Sequence, residues 1–281
     1  MRIFSYYKKG MRIIKRYGVA ALFRYIYFYF IRKFSKKTEP HFVKEYQRYV
    51  NNLLKAYPRN AAMKMAASSS VTDCGDSYIE TGNLQKEILL YYGLKPNMSV
   101  IDFGCGSGRL AHALPEDYNL NYLGIDVIEE LLSYAKTKSP KSYKFNIHKK
   151  LLSIPVLKET ADIICAFELF PLLLHEEIFI YLEDMKRALK NGGKVIFSFL
   201  EFDNHQHQLI FNDSVNDRKE FLSVPLRTFV ERSVLKLWAE KIGFNIVEFT
   251  SGNDKKFNNT SGEDSSGNNF MQSLAVFEKI S

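Results

Sequence analysis

Residues 100–110 read Val100-Ile101-Asp102-Phe103-Gly104-Cys105-Gly106-Ser107-Gly108-Arg109-Leu110. A short β-prone apolar run ends in a turn with glycine at alternating positions, and a helical segment follows. Glycine there lets backbone approach a ligand where a Cβ would stand in the way. In a dinucleotide-binding fingerprint the glycines follow G-x-G-x-x-G and a pyrophosphate rests on the helix N-terminus. Here Arg109 stands where the third glycine would fall, Gly108 arrives one residue early, and Asp102 sits two residues before the first glycine. A carboxylate at this turn repels a pyrophosphate and favours the ammonium of an amino-acid-bearing cofactor.

Outward from the turn, helices and strands take turns. The pattern predicts a helix over Leu84–Tyr92, a strand over Ser99–Phe103, a helix over Gly108–Leu114 and a strand over Asn121–Ile125. It continues with a helix over Ile128–Lys138, strands over Tyr143–Ile147 and Ala161–Phe167, a helix over Glu176–Leu189 and a strand over Lys194–Leu200. A helix over Phe229–Ile242, stopped by Gly243, precedes strands over Phe244–Phe249 and Gln272–Glu278, which flank a polar tip at Ser251–Asn269 read as a mobile loop. Apolar strands between helices indicate a sheet covered on both faces. The expected fold is therefore α/β: a doubly wound, Rossmann-like, mostly parallel seven-stranded sheet with a basic N-terminal helical extension. The expected division is a basic aromatic segment at 1–40, a connector or lid at 41–82 and a ligand-binding domain at 83–281.

Twenty-four residues beyond Asp102, Asp126 closes the second strand, where doubly wound nucleotide folds carry the acid that binds ribose. With this second acid the stretch from about Leu84 to Lys279 resembles the class I S-adenosylmethionine-dependent methyltransferases. The resemblance implies S-adenosylmethionine as cofactor. It implies that Asp102, Gly104, Cys105, Gly106 and Gly108 hold the methionine part, Asp126 the ribose, Asn146 and Ile147 the adenine, and Phe167 or Glu168 the floor, with Val127 also among the cofactor-binding residues. Lys190-Asn191-Gly192-Gly193 is similar to the family's turn before strand five, with Asn191 in place of proline.

There are departures. The family often has Asp where Asn146 stands, and many members carry His where Leu172 falls; His175 lies three residues further on. Gly75–Gly82 and Trp238–Phe244 resemble a bacterial branch associated with cell-surface polysaccharide or lipid modification. The implied reaction moves a methyl group to a small-molecule, glycan or lipid-linked acceptor, with a hydroxyl as the expected atom. A hydroxyl acceptor needs a base within hydrogen-bond reach. The candidates are Glu168, Glu201, Asp203, His205 and His207, of which Glu168 and His205 are taken as catalytic, and Tyr78, Glu168 and His205 as lining the substrate pocket. His205-Gln206-His207 is a pair without a third ligand, so no metal is expected.

Charge is unevenly placed. Residues 1–37 hold eleven Lys or Arg and no acid, while the remainder carries 28 basic against 31 acidic side chains, so the overall charge of +8 describes the terminal segment and not the domain. This argues against nucleic acid as a partner. Phe23, Tyr25, Tyr27, Phe28 and Phe30 among Arg24, Arg32 and Lys33 suit an interfacial segment, with aromatics at headgroup depth and cations on anionic lipid. The longest apolar stretch, Val19–Ile31, is broken by Arg24 and is too short to span a bilayer. The expected location is cytoplasmic, with peripheral contact at the inner face of the membrane through residues 1–37; the other reading packs this helix on the domain. Cys74, Cys105 and Cys165 are too far apart for a zinc spacing and odd in number, which fits a reducing compartment. A Rossmann NAD(P)-dependent oxidoreductase and a non-catalytic cofactor-binding module are the alternatives, the first disfavoured by Arg109.

Overall fold

The computed structural model describes residues 11, 14–15, 18–34, 41–66, 76–148, 152–220, 225–252, 254–257 and 272–280. The chain divides into two compact units, Met1–Glu39 and Pro40–Ser281. Ser68–Ser70, Cys74 and most of the polar tip at 251–269 lie outside the described residues.

In the first unit, α1 spans Val19–Phe34, entered through Gly18 at φ +82°. Phe23 and Tyr27 are exposed on it. Among the described residues no helix is long and apolar enough to cross a membrane.

The second unit begins with α2 (His41–Ala56), α3 (Arg59–Met65) and α4 (Asp76–Tyr91), so the expected connector is largely helical and α4 starts eight residues ahead of its expected beginning at Leu84. The alternation then runs β1 (Ser99–Phe103), α5 (Arg109–Ala113), β2 (Asn121–Asp126), α6 (Glu129–Lys138), β3 (Lys144–Ile147), β4 (Ala161–Ala166), α7 (His175–Ala188), β5 (Leu189–Phe199), α8 (His205–Lys219), α9 (Arg232–Ile242), β6 (Phe244–Ser251) and β7 (Ser273–Lys279). The seven strands form one sheet in the order β3-β2-β1-β4-β5-β7-β6. Pairs β1–β2, β1–β4, β2–β3 and β4–β5 are parallel, and β7 enters antiparallel between β5 and β6. The sheet is the expected doubly wound α/β sheet.

Alternation along the strands sends side chains to two cores. Ile101, Phe103, Ile164, Val195 and Phe197 face one, beneath Ile178, Leu182 and Met185 of α7 and Leu235 and Ala239 of α9. Val100, Ile163, Cys165 and Ile196 face the other, beneath Ile88 and Leu89 of α4 and Leu110 and Ala111 of α5. The α7 spacing Ile178, Tyr181, Leu182, Met185 is a helical stripe, with Glu176 and Glu177 in the first turn and Lys186 and Arg187 in the last. A third cluster packs Val50 and Leu53 of α2 and Met63 and Met65 of α3 against Leu131 and Tyr134 of α6. That contact seats α2 and α3 beside the carboxyl edge of β2.

Helix α8 has no counterpart in the sequence expectation. Its sequence HQHQLIFNDSVNDRK buries only His207, so no apolar stripe announces it; Asn204 caps it by accepting from the Gln206 N–H at 2.9 Å. The expected helix from Phe229 begins three residues later, because Phe229 is drawn into a bridge with Leu200. The Asn191-Gly192-Gly193 stretch, expected as a turn, lies inside β5 as an irregularity: Leu189 pairs Ala161, then the register shifts before Lys194 pairs Ile163.

Candidate active site

The glycine turn leaves β1 at the carboxyl edge of the sheet, where open α/β sheets bind ligands. Gly104, Gly106 and Gly108 all have positive φ, +82°, +53° and +81°. Their roles separate on what a Cβ would meet. At Gly106 it would meet no protein atom, whereas at Gly108 it would lie 2.6 Å from Ala135 Cβ. Gly106 is therefore open toward a cavity, and Gly108, the N-cap of α5, seats that helix against α6.

The cavity has a volume of about 560 Å³. Asp102, Gly104, Cys105, Gly106, Asp126, Val127, Phe167 and Glu168, all expected from the sequence, line it. Asp102 is buried and accepts from Tyr122 Oη at 2.7 Å, with Cys165 Sγ 3.7 Å away. Burial pushes its carboxyl up to about 6, against the hydrogen bond from Tyr122 and the charge of Arg109. Burial also raises Asp126, partly offset by the N–H groups of Ile128, Gly106 and Val127, which donate to its carboxylate at 2.9, 2.9 and 2.7 Å. Desolvation raises the thiols of Cys105 and Cys165 well above the ordinary range, which keeps both neutral. Two buried acids, an open glycine turn and an apolar floor at Phe167 fit a cofactor with an ammonium, a ribose and an aromatic base.

Glu168 follows β4 into the cavity with φ +58°. A side-chain-bearing residue in this region costs about 1–3 kcal/mol and persists only when its surroundings hold it. Its N–H donates to the buried Ser198 Oγ at 2.6 Å, and its carboxylate pairs with Arg109 Nη2 at 2.7 Å.

Other expected residues lie elsewhere. Gly108 does not line the cavity, being taken up in packing on Ala135. Asn146 and Ile147 are exposed at the end of β3, and it is the next residue, His148, that lines the cavity. Tyr78 is buried away from it, donating to the Ser107 carbonyl at 2.8 Å, so it braces the turn from behind. His205 is exposed at the start of α8 and also lies outside the lining. His207 is buried, its Nδ1 accepting from the Glu201 N–H at 2.9 Å. Glu201 is occupied by Arg232 at 2.8 Å and by Ser273, and Asp203 is exposed. His175 Nε2 contacts the Phe229 carbonyl at 2.9 Å, while Leu172 lines the cavity.

The remaining wall was not legible in the sequence. Tyr46 and Tyr49 of α2, stacked at 5.9 Å, Asp213 and Asp217 of α8, and Arg227 all line the cavity. No motif marks them, because they meet only when α2 and α8 cross the sheet edge. Tyr46 Oη donates to the Ala66 carbonyl at 2.5 Å, and burial raises its phenol well above the usual range.

A family model described as a methyltransferase domain matches residues 100–193, from β1 to the entry of β5. Residues 100–193 are a methyltransferase domain. That match supports a methyltransferase and lends no support to the oxidoreductase alternative. An uncharacterized protein of Methanocaldococcus jannaschii is 32% identical over 119 residues, covering 42% of this chain and 48% of that protein. Phosphoethanolamine N-methyltransferase 1 of Arabidopsis thaliana is 27% identical over 138 residues, covering 44% of this chain and 26% of its own length. The chain thus matches less than half the length of these curated relatives. Among solved structures, magnesium protoporphyrin IX methyltransferase of Synechocystis PCC 6803 with bound S-adenosylhomocysteine superposes with a TM-score of 0.54 at 16% identity, covering 83% of this chain and 99% of that one. A methyltransferase of Thermotoga maritima gives 0.52 at 15% identity, over 85% and 100%. These likenesses support the methyltransferase fold.

Proposed function

We propose that the chain transfers a methyl group from S-adenosylmethionine to a hydroxyl of a small-molecule, glycan or lipid-linked acceptor. The observation that carries this is the cavity at the carboxyl edge of β1, β2 and β4, which gathers Asp102, the Gly104–Gly106 turn, Asp126 and Glu168. The cofactor supplies an electrophilic methyl on a sulfonium. Asp102 binds the ammonium, Asp126 the ribose hydroxyls, and Phe167 forms the floor. The adenine end falls to Val127 and His148, which border the cavity where Asn146 and Ile147 do not. Methyl transfer is an in-line displacement, so holding acceptor and cofactor in line contributes most, up to about 7–11 kcal/mol for well-aligned groups. Glu168 takes the acceptor proton. It is preferred to His205 because it lines the cavity and His205 does not.

One observation favours an amine acceptor as a second reading. The outer wall sets Tyr46 and Tyr49 beside Glu45, Asp213 and Asp217, a surface suited to a cation, and the Arabidopsis relative is named for an amine acceptor. Labelled S-adenosylmethionine with paired alcohol and amine acceptors separates the two. Loss of turnover in Glu168→Gln with alcohols supports the hydroxyl reading, and exclusive labelling of amines replaces it.

The basic segment at residues 1–37 is proposed to hold the protein at the cytoplasmic face of a membrane. What supports this is eleven cations without an acid, and exposed Phe23 and Tyr27 on α1.

A further inference from the structure

In the sequence, Arg109 stands where a dinucleotide fingerprint has its third glycine. In the fold it opens α5 directly after the glycine turn, is 8% exposed and lines the cavity. Its guanidinium pairs with Glu168 at 2.7 Å, and its charge acts on the Asp102 carboxylate. With the Gln85 amide oxygen turned toward it, Gln85 accepts from Nε at 3.2 Å and Nη2 at 3.1 Å. Gln85 is 2% exposed on α4 and also borders the cavity, so Arg109 is held by α4 as well as by Glu168.

An anion and a cation thus sit at the same end of the cavity. A zwitterionic amino-acid group presents both complements: its ammonium suits Asp102, and its carboxylate needs a cation beside it. Of the other arginines lining the cavity, Arg48 is on α2 and Arg227 lies beyond α8; neither belongs to the glycine turn. Resting on the cofactor reading above, we propose that Arg109 binds the methionyl carboxylate of S-adenosylmethionine and in doing so exchanges partners, releasing the Glu168 carboxylate to face the acceptor.

A guanidinium pairs bidentately with one carboxylate at a time along a given edge, so the two carboxylates compete. The backbone of Glu168 stays pinned by Ser198 while its side chain turns from Arg109 into the cavity. Before the cofactor arrives, the Glu168 carboxylate is engaged by Arg109; afterwards it is turned toward the acceptor. Cofactor-first binding follows from this exchange.

The test is calorimetric titration of S-adenosylhomocysteine and of 5′-methylthioadenosine, which lacks the amino-acid group, into the full chain. Glu168→Gln removes the competitor and is expected to bind S-adenosylhomocysteine about fivefold tighter, with no gain for 5′-methylthioadenosine. Arg109→Lys is expected to bind S-adenosylhomocysteine roughly tenfold weaker, again without effect on 5′-methylthioadenosine. A gain in affinity cannot arise from misfolding, so Glu168→Gln carries the test if Arg109→Lys is unstable. Unchanged or weaker S-adenosylhomocysteine binding by Glu168→Gln, or an equal gain for both ligands, overturns the exchange. Wild-type protein that binds neither ligand overturns the cofactor reading itself.

Discussion

The Asp126 carboxylate accepts the Gly106 N–H at 2.9 Å, tying the end of β2 to the glycine turn that leaves β1. The same carboxylate receives the N–H groups of Val127 and Ile128, so one side chain shapes both walls of the cavity. Asp126→Ala strands three donors. It is expected to cost about 1–3 kcal/mol of stability and to weaken S-adenosylhomocysteine binding by at least roughly tenfold, read by thermal melts and calorimetry. Unaltered binding in a folded variant removes Asp126 from the cofactor site.

Asp102 makes affinity and stability pull in opposite directions with pH. Its carboxyl is raised from 3.8 to about 6 in the fold. Its favourable contribution to stability is therefore complete below about 4 and is lost as pH rises through about 6, where the buried group must ionise. Asp102→Asn should gain stability relative to wild type between pH 4 and pH 8, by up to about 3 kcal/mol. Binding runs the other way, because an ammonium prefers the ionised acid. Wild-type affinity for S-adenosylhomocysteine should rise from pH 5 to pH 7.5, and Asp102→Asn should flatten that rise; parallel profiles for the two proteins count against an ammonium at Asp102.

Gly106 and Gly108 should respond differently to the same substitution. A Cβ at 108 lies 2.6 Å from Ala135 Cβ and 3.0 Å from its Cα, at φ +81°. Gly108→Ala is expected to lose about 2–4 kcal/mol of stability, combining strain with overpacking. At 106 the added methyl meets no protein atom. Gly106→Ala should cost only about 1–2 kcal/mol for its positive φ, yet abolish cofactor binding by filling the approach to the turn. Denaturation and calorimetry on both variants distinguish packing from ligand contact.

Liposomes test the basic segment. Vesicles with anionic lipid should sediment the full chain at low salt and leave in solution a chain beginning at Pro40, and about 0.5 M salt should release the bound protein. Equal sedimentation of both chains rules out the segment as the anchor.

The strand-turn-helix at 99–113 and the acid at 126 were legible because their signals are local. Glycine at positive φ, an acid at a fixed distance and a period-two apolar run depend on neighbours in sequence. The pattern at Leu84–Tyr92 marks a helix but not its extension back to Asp76, since the first turns carry no apolar stripe. Helix α8 escaped for the same reason: only His207 is buried along it.

By itself, then, the sequence determined the doubly wound sheet, the glycine turn with its two acids, and the separation of a basic terminal segment from a mildly acidic body. Only the tertiary structure decided that Gly108 packs on Ala135 while Gly106 stays open, and that His205 and Tyr78 lie off the cavity. It also decided that Arg109 meets Glu168 across fifty-nine residues of chain, and that α2 and α8 supply the outer wall. The division has one physical cause. Backbone conformation and strand burial are set by residues a few positions apart, whereas a side chain's partner depends on how distant helices pack over the sheet edge, which no local pattern encodes.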